Sequence, residues 1–299
     1  MKKLGYLLSL VFALSLLLLA TPDAFAWGFY AHKKINRMAV YGVPAPLSSF
    51  YKKNIEYITQ HAVDPDKKKF VDSAEGPHHY INLDHYGANP FAVLPKYWKD
   101  AVKKYTEDTL NKYGTLPWEI MYWENKLTDA FKNKDLHMIL RASATIGHYV
   151  ADAHVPLHTV TNYNGQYTNQ WGIHGLWETA IPEAYGDALP HINGGALYLK
   201  DPDGTVWYIL KQTYPLAQIV LQTEKEVSTH FSERTKYQGY KYGKRQYSRK
   251  FIGAYNVALY GMVERQLRAS AIDVASFWYT AWVNAGQPDL SQLKAKSEK

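Results

Sequence analysis

Apolar residues recur at helical spacing along most of the chain. The first such segment lies between Trp27 and Gly42, where Ile35, Met38 and Ala39 fall on one face. Further helical patterns cover residues 47–60, 95–113, 117–132, 135–152, 206–231 and 247–285. Because helical periodicity dominates and no internal repeat or low-complexity linker divides the chain, the pattern predicts an all-α protein. We expect a single domain with a multi-helix, bundle-like fold.

Four stretches interrupt the helical pattern. Residues 61–70 read HAVDPDKKKF, which is rich in charge and proline and is typical of a loop. Residues 76–87 have an ambiguous period, which predicts an irregular connection or a short strand. Residues 162–172 and 184–204 are dense in Gly, Asn, Asp and Pro, so we expect loops there.

Residues 232–250 carry seven basic residues and four tyrosines between two predicted helices. A solvated, mobile connection explains such a composition. A segment that contacts phosphates through its cations and stacks on bases through its tyrosines explains it as well. The sequence leaves both interpretations open.

The N-terminal residues resemble a secretory signal. Lys2 and Lys3 precede an apolar run from 4 to 20, and small residues occupy Ala24 and Ala26. We therefore expect a signal peptide over 1–26, a mature domain over 27–299, and a secreted or periplasmic protein. No second apolar stretch is long enough to span a bilayer, so no stable membrane insertion is expected.

Composition narrows the chemistry only slightly. The chain has 34 Lys and Arg against 27 Asp and Glu, and it has no cysteine. The basic surplus favours anionic substrates, and the lack of cysteine excludes disulfides and thiolate ligands. The sequence contains no glycine-rich phosphate loop, nucleophile elbow or kinase motif, and it indicates no obligate protein partner.

The strongest candidate chemistry lies between His148 and Glu178. His148 and Asp152 are four residues apart in a predicted helix, and His174 and Glu178 repeat that spacing. His158 lies between the two pairs. A single His-x3-Asp pair is usually a hydrogen-bonded pair in a core, but two pairs with a histidine between them favour a polynuclear metal site. Imidazole and carboxylate ligands suit zinc first, with manganese or iron as alternatives.

Four motifs occur in a fixed order along the chain. They are W-x4-H from Trp27 to His32, D-x14-H from Asp64 to His79, H-x3-D-x5-H over 148–158, and H-x3-E over 174–178. This order and spacing resemble those of the fungal single-strand-specific zinc nucleases and of the structurally related bacterial zinc-dependent phospholipases C. The matching positions are Trp27, His32, Asp64, His79, His148, Asp152, His158, His174 and Glu178.

The resemblance implies three zinc ions per chain within the all-α domain. The first zinc ion would be bound by Asp64, His79, His148 and Asp152. The second would be bound by the α-amino group and carbonyl of Trp27, by His32 and by a bridging Asp152. The third would be bound by His158, His174 and Glu178. A hydroxide shared by the first two ions would attack the phosphorus atom, and Lys67 would lie near the scissile phosphate.

The acidic stretch leaves one ligand with an alternative, because Asp66 lies two residues after Asp64. We prefer Asp64, since its D-x2-K spacing to Lys67 resembles the D-x2-R of the nucleases. The phospholipases also have glutamate at the position that corresponds to Glu178, whereas the nucleases have aspartate there. The absence of cysteine departs from the fungal nucleases, which carry disulfides.

The expected function is hydrolysis of phosphodiester bonds in single-stranded nucleic acid, and of 3'-nucleotides, with Asp64, Asp152 and Lys67 as catalytic residues. A phospholipase C acting on lipid headgroups is the alternative, because both reactions displace an alkoxide from phosphate. A metal-binding module without catalytic activity is the third possibility.

Overall fold

The computed structural model describes residues 28–188, 194–241, 244–291 and 293. These residues are predominantly helical. The α-helices are α1 (Phe29–Gly42), α2 (Leu47–Lys53), α3 (Ile55–Gln60), α4 (Asp64–Lys68), α5 (Pro90–Val93), α6 (Trp98–Tyr105), α7 (Glu107–Tyr113), α8 (Leu116–Lys132), α9 (Leu136–Ala153), α10 (Ile173–Gly175), α11 (Ile181–Tyr185), α12 (Pro202–Thr213), α13 (Leu216–Ser228), α14 (Glu233–Lys236), α15 (Arg249–Ala258) and α16 (Met262–Asn284). Short 3-10 turns span His61–Val63, Ser73–His79, Leu83–Tyr86, Pro156–Thr159 and Gly186–Ala188, and a π-helical turn spans Leu176–Ala180.

The prediction of an all-α, multi-helix fold is confirmed. Several predicted helices are divided, however, by single residues with unusual backbone angles. Thr106 has a φ of 67° and separates α6 from α7. Tyr260 and Gly261 have φ values of 50° and 74° and separate α15 from α16. The left-handed region cannot continue a right-handed helix, so each of these residues ends the preceding helix.

The expectation of a loop at residues 61–70 is wrong. His61–Val63 form a 3-10 turn and Asp64–Lys68 form α4, with Pro65 in its first turn. Proline suits this position because its missing N–H lies where a helix has no acceptor for it. The acidic residues of this stretch are therefore displayed on a helix, which determines their directions.

Helix α9 lies at the centre of the fold and packs against α1, α8 and α16. At its crossing with α1, a Cβ atom on Gly147 would lie 2.2 Å from Asn36 Oδ1, so only glycine permits the approach. The buried Asn36 side chain donates from Nδ2 to the carbonyl oxygen of Ala144 at 3.1 Å. These contacts fix α1 against α9.

Aromatic packing closes the other side of α9. The Trp278 and Tyr51 rings stack with centroids 4.5 Å apart, and both side chains are fully buried. Trp278 Nε1 donates to the carbonyl oxygen of Ser143 at 2.9 Å. The described helices include none with the length and apolar character needed to cross a membrane.

Two antiparallel strands, β1 (Tyr237–Lys241) and β2 (Lys244–Tyr247), form a hairpin where the sequence predicted a segment between helices. Gly239, with φ 102°, lies at the irregularity in the register, and its φ suits a glycine in a β-bulge. Lys236, next to β1, contacts the buried carboxylate of Glu224 at 2.7 Å. The stretch therefore contains regular structure, which the sequence did not predict.

Candidate metal centre

Two helices bring the first histidines together. His32 of α1 and His148 of α9 are fully buried, and their rings stack with centroids 3.8 Å apart. Asp152 lies one turn after His148 on the same face of α9, with Oδ2 3.2 Å from His148 Nε2. The close contact of α1 and α9 at Gly147 thus determines this part of the site.

The side chains form three buried groups that could each hold a metal ion. In each group one ligand atom per residue lies within 4.8 Å of the others. The groups are His32–Asp66–His148, His79–His148–Asp152 and His158–His174–Glu178. Seven of the nine sequence-predicted ligands and one further aspartate, Asp66, make up the three groups. His148 belongs to two of them.

Both carboxylate oxygens of Asp152 lie close to ring nitrogens of neighbouring histidines. Its Oδ2 lies 3.0 Å from His79 Nδ1. Its Oδ1 lies 3.4 Å from His32 Nε2 and 3.5 Å from His158 Nδ1. A carboxylate with this placement can serve more than one ion, as the sequence predicted.

The third group is built by the 3-10 turn Pro156–Thr159 and the segment from α10 into the π-helical turn. His158 Nε2 and His174 Nε2 are 3.0 Å apart, and His174 Nε2 lies 2.9 Å from Glu178 Oε2. The N–H of Gly28 donates to the carbonyl oxygen of Glu178 at 3.1 Å, so the start of the described chain lies beside this group. The predicted ligand Trp27 lies outside the described residues.

Outer contacts orient two of the histidine rings. His148 Nδ1 lies 2.8 Å from the carbonyl oxygen of Ala62, which requires an N–H there and leaves Nε2 with a lone pair. His79 Nε2 faces Glu75 Oε1 at 3.5 Å, which favours a lone pair on Nδ1. These two lone-pair nitrogens are 3.0 Å apart. Carbonyl and carboxylate groups hold metal-binding histidines in this way in other proteins.

Several buried polar atoms of these groups have no hydrogen-bond partner within the part of the chain that the structure describes. Burying such atoms without partners costs free energy, so a cation is the simplest partner for them. The atoms are both ring nitrogens of His32, both oxygens of Asp66 and of Glu178, Asp152 Oδ1, His158 Nδ1 and His174 Nδ1. Asp66 Oδ1 does lie 2.7 Å from Lys69 Nζ, an ion-pair distance without hydrogen-bond geometry.

The spacing of the ligand atoms also suits zinc or a similar ion. Two donors that each lie about 2.1 Å from one ion at tetrahedral angles are about 3.4 Å apart. The separations from Asp152 to its histidines, 3.0 to 3.5 Å, fall around this value. The residues present therefore fit metal ions.

Burial keeps several of these groups in forms that suit metal binding. Burial and the charge of His148 lower the pKa of His32 to about 4. Burial and the charge of Lys69 lower the pKa of His174 to about 3. Both imidazoles are thus neutral near pH 7. Burial raises the pKa of Glu178 to about 8, and a bound cation would drive off this proton.

The pKa of Asp152 is lowered, whereas that of Glu178 is raised. Burial alone would raise the pKa of Asp152, but the charges of His148 and His158 outweigh burial and hold this pKa well below its usual value. The carboxylate is therefore ionised, which a ligand shared between ions requires.

The structure places Asp64 and Lys67, the preferred catalytic residues, outside the three groups. The side chain of Asp64 is 43% exposed and lies 2.8 Å from Lys67 Nζ and 2.5 Å from His61 Nδ1, away from the three groups. Asp66 is fully buried and belongs to the group with His32 and His148. Residues i and i+2 point to nearly opposite sides of a helix, so only one of the two aspartates can face the site.

Lys69, rather than Lys67, lies beside the three groups. Its Nζ lies 2.7 Å from Asp66 Oδ1, and its side chain is 25% exposed. Burial opposes the charge, but attraction to Asp66 outweighs it and raises the pKa of Lys69. The sequence held a signal for this arrangement. Asp66 and Lys69 repeat the D-x2-K spacing, and Asp66 follows the apolar Ala62 and Val63 by four and three residues, as a buried helical position does.

A matched pair of variants tests whether Asp66 or Asp64 is the ligand. Asp66→Asn is expected to lower the bound metal by at least one ion per chain, because a buried ligand loses its charge. Asp64→Asn is the control, since it makes the same chemical change two residues away outside the groups. Elemental analysis of the purified variants gives the metal content. Equal metal loss from both variants, or loss from Asp64→Asn alone, would restore Asp64 as the ligand.

Sequence comparison adds no family assignment to this geometry. No family model matches the chain, and no match is found among curated proteins. The resemblance to the zinc nucleases thus stays a prediction from motif spacing, and the structure independently supports sites for metal ions.

Proposed function

We propose that the protein is a secreted, zinc-dependent phosphodiesterase that hydrolyses single-stranded nucleic acid. The observation that carries this proposal is the convergence of three buried imidazole and carboxylate groups, each with a histidine within 3.5 Å of Asp152. The ammonium group of Lys69 lies beside them. Sites with two or more close metal ions are common among enzymes that hydrolyse phosphate esters. Three zinc ions would match the three groups.

The ligand assignment follows from these groups. Zinc ions bound here would supply an activated water and positive charge for the phosphoryl oxygens. They would be held by His32, Asp66, His79, His148, Asp152, His158, His174 and Glu178, together with the backbone of Trp27 as the motif resemblance implies.

Lys69 has the position of a substrate contact. Its protonated amine lies at the edge of the groups and is partly exposed. It can therefore donate a hydrogen bond to a phosphate oxygen while it remains near Asp66. A fixed cation stabilises the extra negative charge that a phosphoryl group develops in the transition state. We therefore assign to Lys69 the role that the motif resemblance gave to Lys67.

Aromatic and basic side chains around the third group favour a nucleic-acid substrate. The ring of Tyr163 lies 5.6 Å from that of His174 and the side chain is 46% exposed. Tyr247 of the hairpin donates its hydroxyl to the carbonyl oxygen of Trp171 at 3.3 Å, which connects the basic hairpin to the loop before His174. Exposed rings next to a cationic surface can stack on unpaired bases.

One observation favours the second candidate, a phospholipase C. Phe70 and Val71 directly follow Lys69 and are 55% and 87% exposed, and Trp171, three residues before His174, is 63% exposed. Apolar side chains at the mouth of a site can meet a lipid surface.

Replacement of Lys69 tests the phosphate contact. Lys69→Met is expected to lower kcat by about 100-fold at saturating zinc, the scale reported for loss of one group that stabilises transition-state charge. Lys67→Met is the matched control and should keep kcat within about twofold, because Lys67 pairs with Asp64 outside the groups. Zinc content is measured on both variants. A large loss for Lys67→Met with no loss for Lys69→Met contradicts the assignment.

The two candidate functions are separated by assaying the zinc-loaded mature protein on a single-stranded oligonucleotide and on phosphatidylcholine vesicles. The nuclease proposal predicts oligonucleotide cleavage that weakens as salt rises, because the substrate is held through its phosphates. Vesicle hydrolysis without oligonucleotide cleavage would support the phospholipase. No hydrolysis of either substrate would overturn both proposals.

A further inference from the structure

A polar cavity lies next to the metal groups and shares none of their residues. Its volume is about 320 Å³, and α3, α4, α8 and α9 contribute to its walls. The buried side chains of Glu75, Thr145 and Tyr149 line its inner part. Helix α4 separates the two sites, since it directs Asp64 to the cavity and Asp66 to the metal groups.

Arg141 gives this cavity a cation that lacks a carboxylate partner within the described residues. Its guanidinium carbon lies 6.0 Å from the centroid of the Trp123 ring, and the side chain is exposed. His137 precedes Arg141 by one helical turn on α9 and also lines the cavity. Lys68, by contrast, already has Glu75 as a partner at 2.7 Å. The unpaired guanidinium therefore favours an anionic group at the mouth of the cavity.

The walls offer flat aromatic surfaces and hydrogen-bond acceptors. Tyr57 and His61 stack with ring centroids 3.9 Å apart, and Trp123 faces the cavity from α8. Trp123 Nε1 donates to Glu119 Oε1 at 2.8 Å, which fixes the orientation of the indole. Glu119 also lines the cavity, and its second carboxylate oxygen, Oε2, can accept a hydrogen bond from a hydroxyl or amino group of a ligand. Aromatic walls with a few fixed polar groups are typical of small-molecule sites.

We propose that this cavity binds a small molecule that carries both an aromatic ring and an anionic group, of the nucleoside monophosphate class. The phosphate would contact Arg141, the base would lie against Tyr57 or Trp123, and a carboxylate would accept a hydrogen bond from the ribose or base. The volume is near the lower end for ligand pockets, which suits one nucleotide and excludes a polymer. The proposal does not depend on the reaction at the metal groups.

Calorimetric titration of the zinc-loaded protein with adenosine monophosphate tests the proposal. Arg141→Gln is expected to weaken one binding event by about tenfold or more, the effect of losing one charge-assisted contact. Lys69→Met is expected to leave this event unchanged and to affect any binding at the metal groups. Because Arg141 is exposed, the variant should keep the zinc content and the melting temperature of the unmodified protein.

Arg268→Gln is the matched control, because Arg268 pairs with Glu264 at 2.8 Å and does not line the cavity. Equal affinities of the Arg141→Gln and Arg268→Gln variants for adenosine monophosphate would overturn the site. Titrations with adenosine and with inorganic phosphate test the ligand class. Both should bind at least tenfold more weakly than the nucleotide, and either one binding as tightly would overturn the assigned class.

Discussion

Replacement of Asp152 by asparagine is expected to abolish most of the hydrolytic activity together with at least one bound metal ion. Asp152 Oδ2 lies 3.0 Å from His79 and Oδ1 lies 3.4 Å from His32, so one carboxylate serves two groups. An amide keeps the size of the side chain but loses its charge and half of its acceptor oxygens. Loss of about 4 kcal/mol of transition-state stabilisation by metal would lower kcat/KM by roughly 1,000-fold.

Metal content and kcat/KM measured on the same preparations check this expectation. Asp273→Asn is the matched control, because Asp273 Oδ2 lies 3.0 Å from His154 Nε2 in an imidazole–carboxylate pair outside the three groups. The control should bind as much metal as the unmodified protein. Full metal content and an undiminished rate in the Asp152→Asn protein would rule out Asp152 as a shared ligand.

The long helices were predictable because their apolar faces repeat over several turns. Residues 117–132 and 135–152 correspond to α8 and α9 within one residue at each end. The breaks at Thr106 and Tyr260 were not predictable, because both residues adopt left-handed backbone angles that non-glycine residues take only when the surrounding structure imposes them. The hairpin was missed for a related reason, since its charged residues and tyrosines resemble the composition of a solvated linker.

The pairing of His148 with Asp152 was predictable because their spacing along α9 fixes a shared face, whereas His32 and His79 were named through the motif resemblance. The sequence could not decide between Asp64 and Asp66, because residues 61–70 had been interpreted as a loop, where sequence distance says nothing about direction. Once α4 exists, helical geometry decides the question, and Lys69 follows Asp66 into the site. The cavity around Arg141 could not be predicted, because α3, α4, α8 and α9 meet there only in the folded chain.

Removal of the metal ions is expected to lower the melting temperature as well as the activity. The chain has no cysteine and hence no disulfide, and it buries ligand atoms that have no other partner in its described part. An ion that binds only the folded chain, at a free concentration of about 1,000 times its dissociation constant, stabilises that chain by about 4 kcal/mol. In a domain near this size 1 kcal/mol corresponds to about 2–4 °C, so loss of one ion should lower the melting temperature by about 8–16 °C.

Scanning calorimetry before chelation, after chelation and after zinc is restored gives the measurement, with metal content verified at each step. The Asp152→Asn protein should respond to chelation by a smaller shift, because it has already lost a shared ligand. Asp273→Asn should respond as the unmodified protein does, since its histidine–aspartate pair holds no metal. An unchanged melting temperature after verified removal would mean that the three groups contribute nothing to folding through bound metal. The orphaned oxygens of Asp66 and Glu178 would then need ordered water as their partner instead.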